Sequence, residues 1–375
     1  MKDYKNPIWR IVASIIDALG VLFFSPFQSR PSLEAQDIKR ILILKFDRIG
    51  DSFLSLPTIS GLRQIFPRAE VVVAVAPWNQ EVFLGQPAID RQIVVADLPD
   101  VHKSGVLSFF KFGHISRLKR LIKEYRPEMV VDLQMSPMNA LAAYQSRVKY
   151  RLGYRPKILS WLFNITANYE RTLPQAEIYF SLARRLGFND SLPKAQIYPS
   201  LADHASAAAL ASPGHYAVFH LGVGRSYRQW PVANFSALAN LMLAADKDVR
   251  IVVIGHESDK KLLFDFKSQI NNQDRLVDLI GQTSLGATFE ILSLARLFVG
   301  NESGPGHLAA SLNIPVFSLM SPWSGVERWQ ARGQKVTIFY KSAHKCRGPK
   351  CREIPCPNMA AITVDEVWAK VKNII

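Results

Sequence analysis

Cysteine is scarce in this sequence. The 375-residue chain has three cysteines, Cys346, Cys351 and Cys356, and all lie near its end. An odd number of cysteines confined to one segment is not typical of a secreted disulfide framework, so we expect a reducing compartment. Three thiolates beside His344 leave a zinc site open as an alternative, but the usual C-x2-C knuckle is absent. We therefore predict reduced thiols in a surface loop and no bound metal.

Long apolar runs are also missing. Within the N-terminal segment 1–35, Arg10 and Asp17 interrupt "IWRIVASIIDALGVLFF", whereas a transmembrane helix needs about 20 mostly apolar residues. A secretory signal would need an uninterrupted apolar centre and a small-residue cleavage site. We therefore predict an amphipathic helix in the membrane interface. Packing on the body of the protein, and a signal or true span, are the alternatives. At helical spacing, one face of this helix would contain the apolar residues Ile8, Ile11, Val12, Ile15, Ile16, Leu19, Leu22 and Phe23.

Acidic residues are in deficit. There are 46 Lys and Arg against 31 Asp and Glu, which gives a formal net charge of +15. This surplus favours anionic partners such as phosphorylated substrates or a phospholipid surface. No arginine-rich tail or basic-aromatic repeat is present, so nucleic acid is not a predicted partner. With 48% hydrophobic and 21% charged residues the chain is globular, and its length suits two domains.

Strand-like and helix-like segments alternate twice along the chain. They run from "ILILKF" to "MVVDL" (41–133) and again from "YAVFH" to "PVFSLM" (216–320). Between them, residues 188–214 carry much Pro, Ser and Ala and no strand signal. We predict an α/β fold with doubly wound Rossmann-like domains at 36–195 and 205–362. A final helix at 363–375 is indicated by a capping box of Thr363 and Glu366. Ligands of open parallel sheets bind beyond the carboxyl ends of strands, so residues that follow strands are candidate site residues.

The first such segment is "KFDRIGDS", directly after the first strand. Gly50 permits a tight turn there. Asp51 is interpreted in two ways: as the N-cap of the next helix, or as a carboxylate base that accepts a proton from a substrate hydroxyl. Arg48 lies between Asp47 and Asp51 at the same edge of the sheet.

The second segment is "HLGVGRSYRQWP", residues 220–231. Gly222 and Gly224 let backbone amides approach a ligand closely, and Arg225 and Arg228 have the charge to neutralise phosphate. A solvated loop is the alternative. The dinucleotide fingerprint G-x-G-x-x-G is incomplete because Tyr227 stands at its third glycine, which disfavours a dehydrogenase.

The third segment is "GNESGPGHLAASLNIP", residues 300–315. Glu302, Ser303 and Gly304 form a predicted turn after a strand, and a small-residue helix begins near Pro305. Backbone amides at a helix N-terminus bind phosphate well. Glu302 is a candidate partner for ribose or sugar hydroxyls, and His307 lies beside the predicted phosphate site.

From about residue 40 to 370, the chain resembles glycosyltransferase family 9, the family of the lipopolysaccharide heptosyltransferases. The resemblance is carried, in order, by "ILILKFDRIGDSFLSLPTISGLRQIFPRAEV", "RQWPVANFSALA", "VGNESGPGHLAA" and "CREIPCPNMAAITVDEV". It implies a GT-B architecture of two facing Rossmann-like doubly wound domains, with the acceptor side in the first and the nucleotide-sugar site in the second.

The resemblance also implies an inverting transfer of heptose from ADP-heptose to a lipopolysaccharide-core or other lipid-linked acceptor, without metal or cofactor. By motif, Asp51 is the expected base, Arg228 faces the donor diphosphate, and Arg48 lies on the acceptor side. The expected donor-binding residues are Gly222, Gly224, Arg228, Glu302, Ser303, Gly304 and His307. The expected location is cytoplasmic, peripheral on an anionic inner-membrane surface.

Three departures from the family pattern bear on the donor sugar. Glu302 stands where Asp is usual, Gly306 replaces a larger apolar residue, and Trp323 interrupts a usual Gly-Pro-Thr turn. The alternatives are therefore a family-9-like transferase that uses another nucleotide-sugar, a nucleotide-sugar epimerase, or a non-catalytic sugar-nucleotide-binding protein.

Overall fold

The computed structural model describes residues 15, 17–20, 22, 37–96, 112–156, 158–210, 215–344 and 355–375. The chain divides into two compact units, Met1–Ala195 and Gln196–Ile375. The division lies within the stretch that lacks a strand signal. Most of the predicted N-terminal helix, together with Cys346 and Cys351, lies outside the described residues.

The first unit contains a six-stranded sheet in which every described strand pair is parallel, in the order β3-β2-β1-β4-β5-β6. Its strands are β1 Arg40–Lys45, β2 Glu70–Val75, β3 Arg91–Val94, β4 Met129–Asp132, β5 Tyr150–Arg155 and β6 Ile165–Asn168. Its helices are α1 Ile49–Phe53, α2 Leu56–Ile65, α3 Phe112–Tyr125, α4 Pro137–Gln145 and α5 Gln175–Arg185.

The centre of this sheet is buried on both faces. Leu42 of β1 pairs in register with Val72 of β2, and both are fully buried. Leu42 packs in one apolar cluster with Leu118 and Ile122 of α3 and with residues of α4. Apolar runs without alternation predict parallel strands that are covered on both faces, and the strands at the centre of this sheet lie in that environment.

The second unit repeats the same winding with strand order β12-β11-β10-β7-β8-β9, again with parallel pairs. Its strands are β7 Tyr216–His220, β8 Arg250–Ile254, β9 Leu276–Asp278, β10 Leu297–Asn301, β11 Val316–Met320 and β12 Val336–Tyr340. Its helices are α6 Leu201–Leu210, α7 Val232–Ala245, α8 Lys260–Lys267, α9 Leu285–Ser293, α10 Gly304–Ser311, α11 Val326–Trp329, α12 Pro357–Ala360 and α13 Val364–Val371.

The final helix begins as the sequence predicts. Thr363 is the N-cap of α13, and its side chain and that of Glu366 form the reciprocal capping box. Val367 and Val371 are buried in the apolar core of the second unit. In the part of the chain that is described, no helix is both long and apolar enough to span a bilayer.

Candidate active site and donor-binding loops

The predicted functional segments follow strands at the two points where strand order reverses. In the first unit this point lies between β1 and β4, and in the second between β7 and β10. Open parallel sheets bind ligands outside the carboxyl ends of the strands at such a switch point. The topology therefore places each segment where a fold of this class holds its ligands.

Asp51 is not a helix N-cap. The N-cap of α1 is Arg48, an exposed residue whose side chain makes no capping hydrogen bond. Asp51 lies inside the first turn, where the positive end of a helix favours a negative charge. Its Oδ1 accepts a hydrogen bond from the Tyr179 hydroxyl of α5 at 3.2 Å. The capping alternative is therefore wrong, and the role as a base stays a prediction.

A buried cation lies over the ring of Tyr179. The ammonium nitrogen of Lys45 is 3.9 Å from the centroid of the Tyr179 ring. It also donates to the Asp47 carboxylate and to the Leu133 carbonyl, both at 2.9 Å. Lys45 is fully buried, and a buried charge is tolerated only when it is paired in this way. Lys45 therefore fixes the ring whose hydroxyl contacts Asp51.

The loop after β4 is held by a second buried carboxylate. Asp132 accepts hydrogen bonds from the backbone amides of Gln134, Met135 and Ser136 and from the side chain of Asn139. Burial raises the pKa of Asp132 to about 7, although these donors act in the opposite direction. Because the side chain is enclosed, its role is to shape this loop.

The loop after β10 ends in an unusual helix start. Ser303 is the N-cap of α10, but its side chain makes no capping bond. Its Oγ is buried and has no hydrogen-bond partner among the described residues. His307 is buried in the same helix. A buried hydroxyl without a partner among the described residues, beside the backbone amides that begin a helix, is suited to an anionic ligand.

The loop after β7 brings Arg228 to the same place. One terminal nitrogen of its guanidinium group donates to Oε2 of Glu302 at 2.9 Å, and the other donates to the Trp323 carbonyl at 3.3 Å. Its Nε is buried without a partner among the described residues. The structure thus joins two of the predicted donor-binding residues directly, and it leaves the Nε–H of the guanidinium group available.

Two residues that sequence reasoning missed hold these loops together. The Asn301 side chain accepts from the Trp230 backbone amide at 2.9 Å and donates to the Leu221 carbonyl at 2.8 Å. The fully buried Trp230 indole donates to the Ile362 carbonyl at 2.8 Å. The Trp-Pro dipeptide was the available signal for this anchor, and Asn301 is recognisable only as a polar residue that ends an apolar strand.

Gly222 has a local packing role. A Cβ at this position would overlap the Asp259 carboxylate, which lies in the loop after β8. Gly224 is exposed. Beside them His220 ends β7, and burial lowers its pKa to about 4 against the effect of Asp259. The contribution of the two glycines to donor binding stays a prediction.

Among the described residues, no three His, Cys, Asp or Glu side chains are grouped as a metal site. Cys356 is buried at the start of α12, so the prediction of a surface loop is wrong for this cysteine. The zinc alternative also requires Cys346 and Cys351, which lie outside the described residues.

Comparison with known proteins decides the family. The profile of glycosyltransferase family 9 (heptosyltransferase) matches residues 115–359, more than half of the chain. The chain belongs to glycosyltransferase family 9. It is a glycosyltransferase, and its two parallel Rossmann-like sheets are those of the GT-B class.

Individual relatives are distant in sequence, but the matched regions cover most of this chain and most of each relative. Lipopolysaccharide heptosyltransferase 1 of Pseudomonas aeruginosa is 25% identical over 292 residues, which cover 76% of this chain and 79% of that protein. The solved ADP-heptose heptosyltransferase II of Escherichia coli has a TM-score of 0.74 at 19% identity, covering 89% and 98%. An Escherichia coli heptosyltransferase with ADP has a TM-score of 0.67 at 18% identity, covering 90% and 100%. These two structures confirm the predicted fold class.

Proposed function

We propose that this glycosyltransferase moves heptose from ADP-heptose, with inversion, onto a lipopolysaccharide-core or other lipid-linked acceptor. The observation that carries the proposal is the pair of unsatisfied donors at the start of α10. Ser303 Oγ and Arg228 Nε come from adjacent loops, and both are buried without partners among the described residues. A diphosphate supplies the several acceptor oxygens that such donors need. The names of the relatives support heptose as the sugar.

The proposed reaction is a direct displacement. Asp51 removes the proton of an acceptor hydroxyl while that oxygen attacks the anomeric carbon of the donor. The bond from this carbon to the diphosphate oxygen breaks, and the nucleoside diphosphate leaves. Arg228 and the backbone amides after Gly304 stabilise the negative charge that develops on it. These groups supply the positive charge, so the proposed reaction is metal-independent.

Glu302 has two tasks in this proposal. Its contact with Arg228 orients the guanidinium group, and its carboxylate is the acceptor for a sugar or ribose hydroxyl. His307, Gly222 and Gly224 line the donor site, and Arg48 contacts the acceptor. Because Glu is one methylene longer than the usual Asp, Glu302 is the residue most directly tied to the choice of sugar.

The first test is thermal stabilisation by ADP-, GDP-, UDP- and dTDP-sugars, because ligands of the folded state raise the melting temperature. A shift with ADP-heptose alone supports the proposed donor. A shift with a different nucleotide-sugar would show that this sugar, and not ADP-heptose, is the donor. Turnover of the donor without any acceptor would favour an epimerase, and donor binding without turnover would favour a non-catalytic binding protein.

The second test addresses the base. Asp51→Asn keeps the size of the side chain and removes its basicity, so transfer should fall about 100-fold or more while the donor-induced shift is retained. Asp190→Asn, at an exposed position of the same unit, is the matched control and should behave as wild type. Full transfer by Asp51→Asn would refute the role of Asp51.

We also propose that the enzyme works in the cytoplasm, peripherally on the anionic inner membrane. A lipid-linked acceptor would be presented at that surface, and the net charge of +15 suits it.

A further inference from the structure

The described N-terminal helical residues are held on the first unit by a carboxylate and a glycine. Asp17 Oδ1 accepts a hydrogen bond from the Leu159 backbone amide at 2.9 Å. Gly20 lies against the Trp161 indole so closely that a Cβ would overlap the ring. The contacts that fix this segment therefore involve its polar and smallest residues.

The large apolar residues of this segment point elsewhere. The side chains of Ile15, Leu19 and Leu22 are 52%, 48% and 65% exposed. Their spacing, four and then three residues, places them on one face of a helix. Because Asp17 and Gly20 fix the orientation of the segment, this face is presented to the surroundings. We call these three residues the apolar stripe.

A basic surface lies on α3 of the same unit. Leu118 and Ile122 bury one side of α3 in the core. The other side exposes Arg117, Arg120 and Lys123. An open groove along it is lined by Ser116, Lys119, Arg120, Lys123, Glu124 and Arg126. Glu124 is the one acidic residue of this lining, so the groove favours anionic groups.

The apolar stripe and the basic helix are linked through one row of packed elements. α3 packs on α4, and α4 packs on the short helical turn Ser160–Leu162. That turn carries Trp161, which contacts Gly20. The stripe and the cations therefore belong to a continuous part of the first unit.

We propose that the apolar stripe and the cations of α3 form the surface by which this protein docks on a bilayer of anionic phospholipids. Aliphatic side chains on one helix face enter the boundary between headgroups and acyl chains, and the cations of α3 contact the lipid phosphates. Charge complementarity selects an anionic bilayer as the occupant. The inference rests on the membrane attachment proposed above and does not depend on the transfer reaction.

The test is co-flotation of the full chain with phosphatidylcholine vesicles, with and without about 30% phosphatidylglycerol. Wild type should bind the anionic vesicles and lose binding as salt increases, since salt screens the lipid charge. Replacing the stripe (Ile15→Ser, Leu19→Ser and Leu22→Ser together) should weaken binding about tenfold or more. The pair Arg120→Glu and Lys123→Glu should weaken it similarly and flatten the salt dependence.

The matched control removes exposed apolar surface from the second unit. Leu201 and Phe264 are 89% and 73% exposed, and Leu201→Ser with Phe264→Ser should bind vesicles as wild type does. Melting temperatures check that every variant folds. Sugar transfer to a short soluble acceptor should be unchanged in the stripe variant, while transfer to an acceptor embedded in vesicles falls.

Each contrary result has a distinct meaning. If wild type does not prefer anionic vesicles, both the membrane attachment and this surface are refuted. If wild type binds but the stripe variant binds equally, the surface is wrong and the attachment stands. If the stripe variant converts a dimer to a monomer without vesicles, the occupant of the stripe is a second copy of the chain.

Discussion

The Tyr179 hydroxyl donates to the Asp51 carboxylate at 3.2 Å, across 128 residues of sequence. One carboxylate oxygen is therefore restrained by the protein itself. A catalytic base is effective when its geometry is set before the substrate arrives. The contact makes Tyr179 a candidate positioning residue for the proposed base.

We expect Tyr179→Phe to lower kcat about tenfold or more, because hydrogen bonds to charged groups are worth about 1.5–3 kcal/mol. The donor KM should not change, since the ring and its contact with Lys45 are retained. Steady-state kinetics across pH measure both effects, and Tyr198→Phe at a partly exposed position of the second unit is the control. A wild-type kcat would show that the hydroxyl does not position Asp51.

The buried ion pair of Lys45 and Asp47 should be strongly coupled. Lys45→Met leaves the Asp47 carboxylate without its cation, which should cost about 3–5 kcal/mol of stability. Lys45→Met combined with Asp47→Asn should cost less than Lys45→Met alone, because no uncompensated charge remains. Urea denaturation of the single and double variants measures the coupling, and equal losses would contradict it.

Arg228→Lys should raise the donor KM about tenfold or more while it keeps the positive charge. Lysine cannot contact Glu302, the Trp323 carbonyl and a diphosphate together, whereas the planar guanidinium group can. Titration with ADP alone separates loss of diphosphate binding from loss of sugar binding. Arg332→Lys, at an exposed position of the second unit outside the predicted site segments, is the control.

Glu302→Asp should change the preference among nucleotide-sugars more than the affinity for the bare nucleotide diphosphate. The shorter side chain withdraws the carboxylate from Arg228, to which it is joined at 2.9 Å. Thermal shifts with a nucleotide-sugar panel and with ADP measure the two effects. Identical shifts for the variant and wild type would show that Glu302 does not determine which sugar is preferred.

His220 should make the second unit sensitive to acid. Its pKa falls from 6.5 to about 4 on folding because the ring is buried. Between pH 6.5 and 4 the unfolded chain takes up a proton on this histidine and the folded chain does not. The contribution of neutral His220 to stability is therefore complete above pH 6.5 and is lost as the pH falls from 6.5 towards 4. This amounts to about 3 kcal/mol. His220→Gln should lose less stability than wild type between pH 7 and 4.5, measured by urea denaturation.

Apolar strands and capping signals were sufficient to predict much of the fold. β1, β2, β4 and most strands of the second unit are buried runs whose pattern is unambiguous, and α13 has its capping box. β5 and β6 were missed because "YRLGYR" contains two arginines and a glycine in place of an apolar run, and because "ITAN" is a short edge strand. β12 was missed because it is a partly exposed edge strand. Edge strands lack the two-sided burial that makes a run apolar.

The candidate site was predictable only where its residues follow strands. Glu302 stands directly after β10 and Arg228 lies in the loop after the neighbouring β7, so the topology could bring them together. Tyr179 lies in the middle of a helix, and periodicity shows that α5 is a helix without showing which loop it meets. Lys45 belongs to an apolar strand, where its single charge carries no signal about its partners.

The hydrogen bond from Trp230 to the Ile362 carbonyl ties the donor-side loop to the tail of the chain. The tail that contains α12 and α13 therefore holds in place the loop that contains Arg228. We therefore expect that release of the tail from this loop lowers the affinity for the donor, and that donor binding holds the tail in place. A bound nucleotide should accordingly slow proteolytic trimming of the C-terminus.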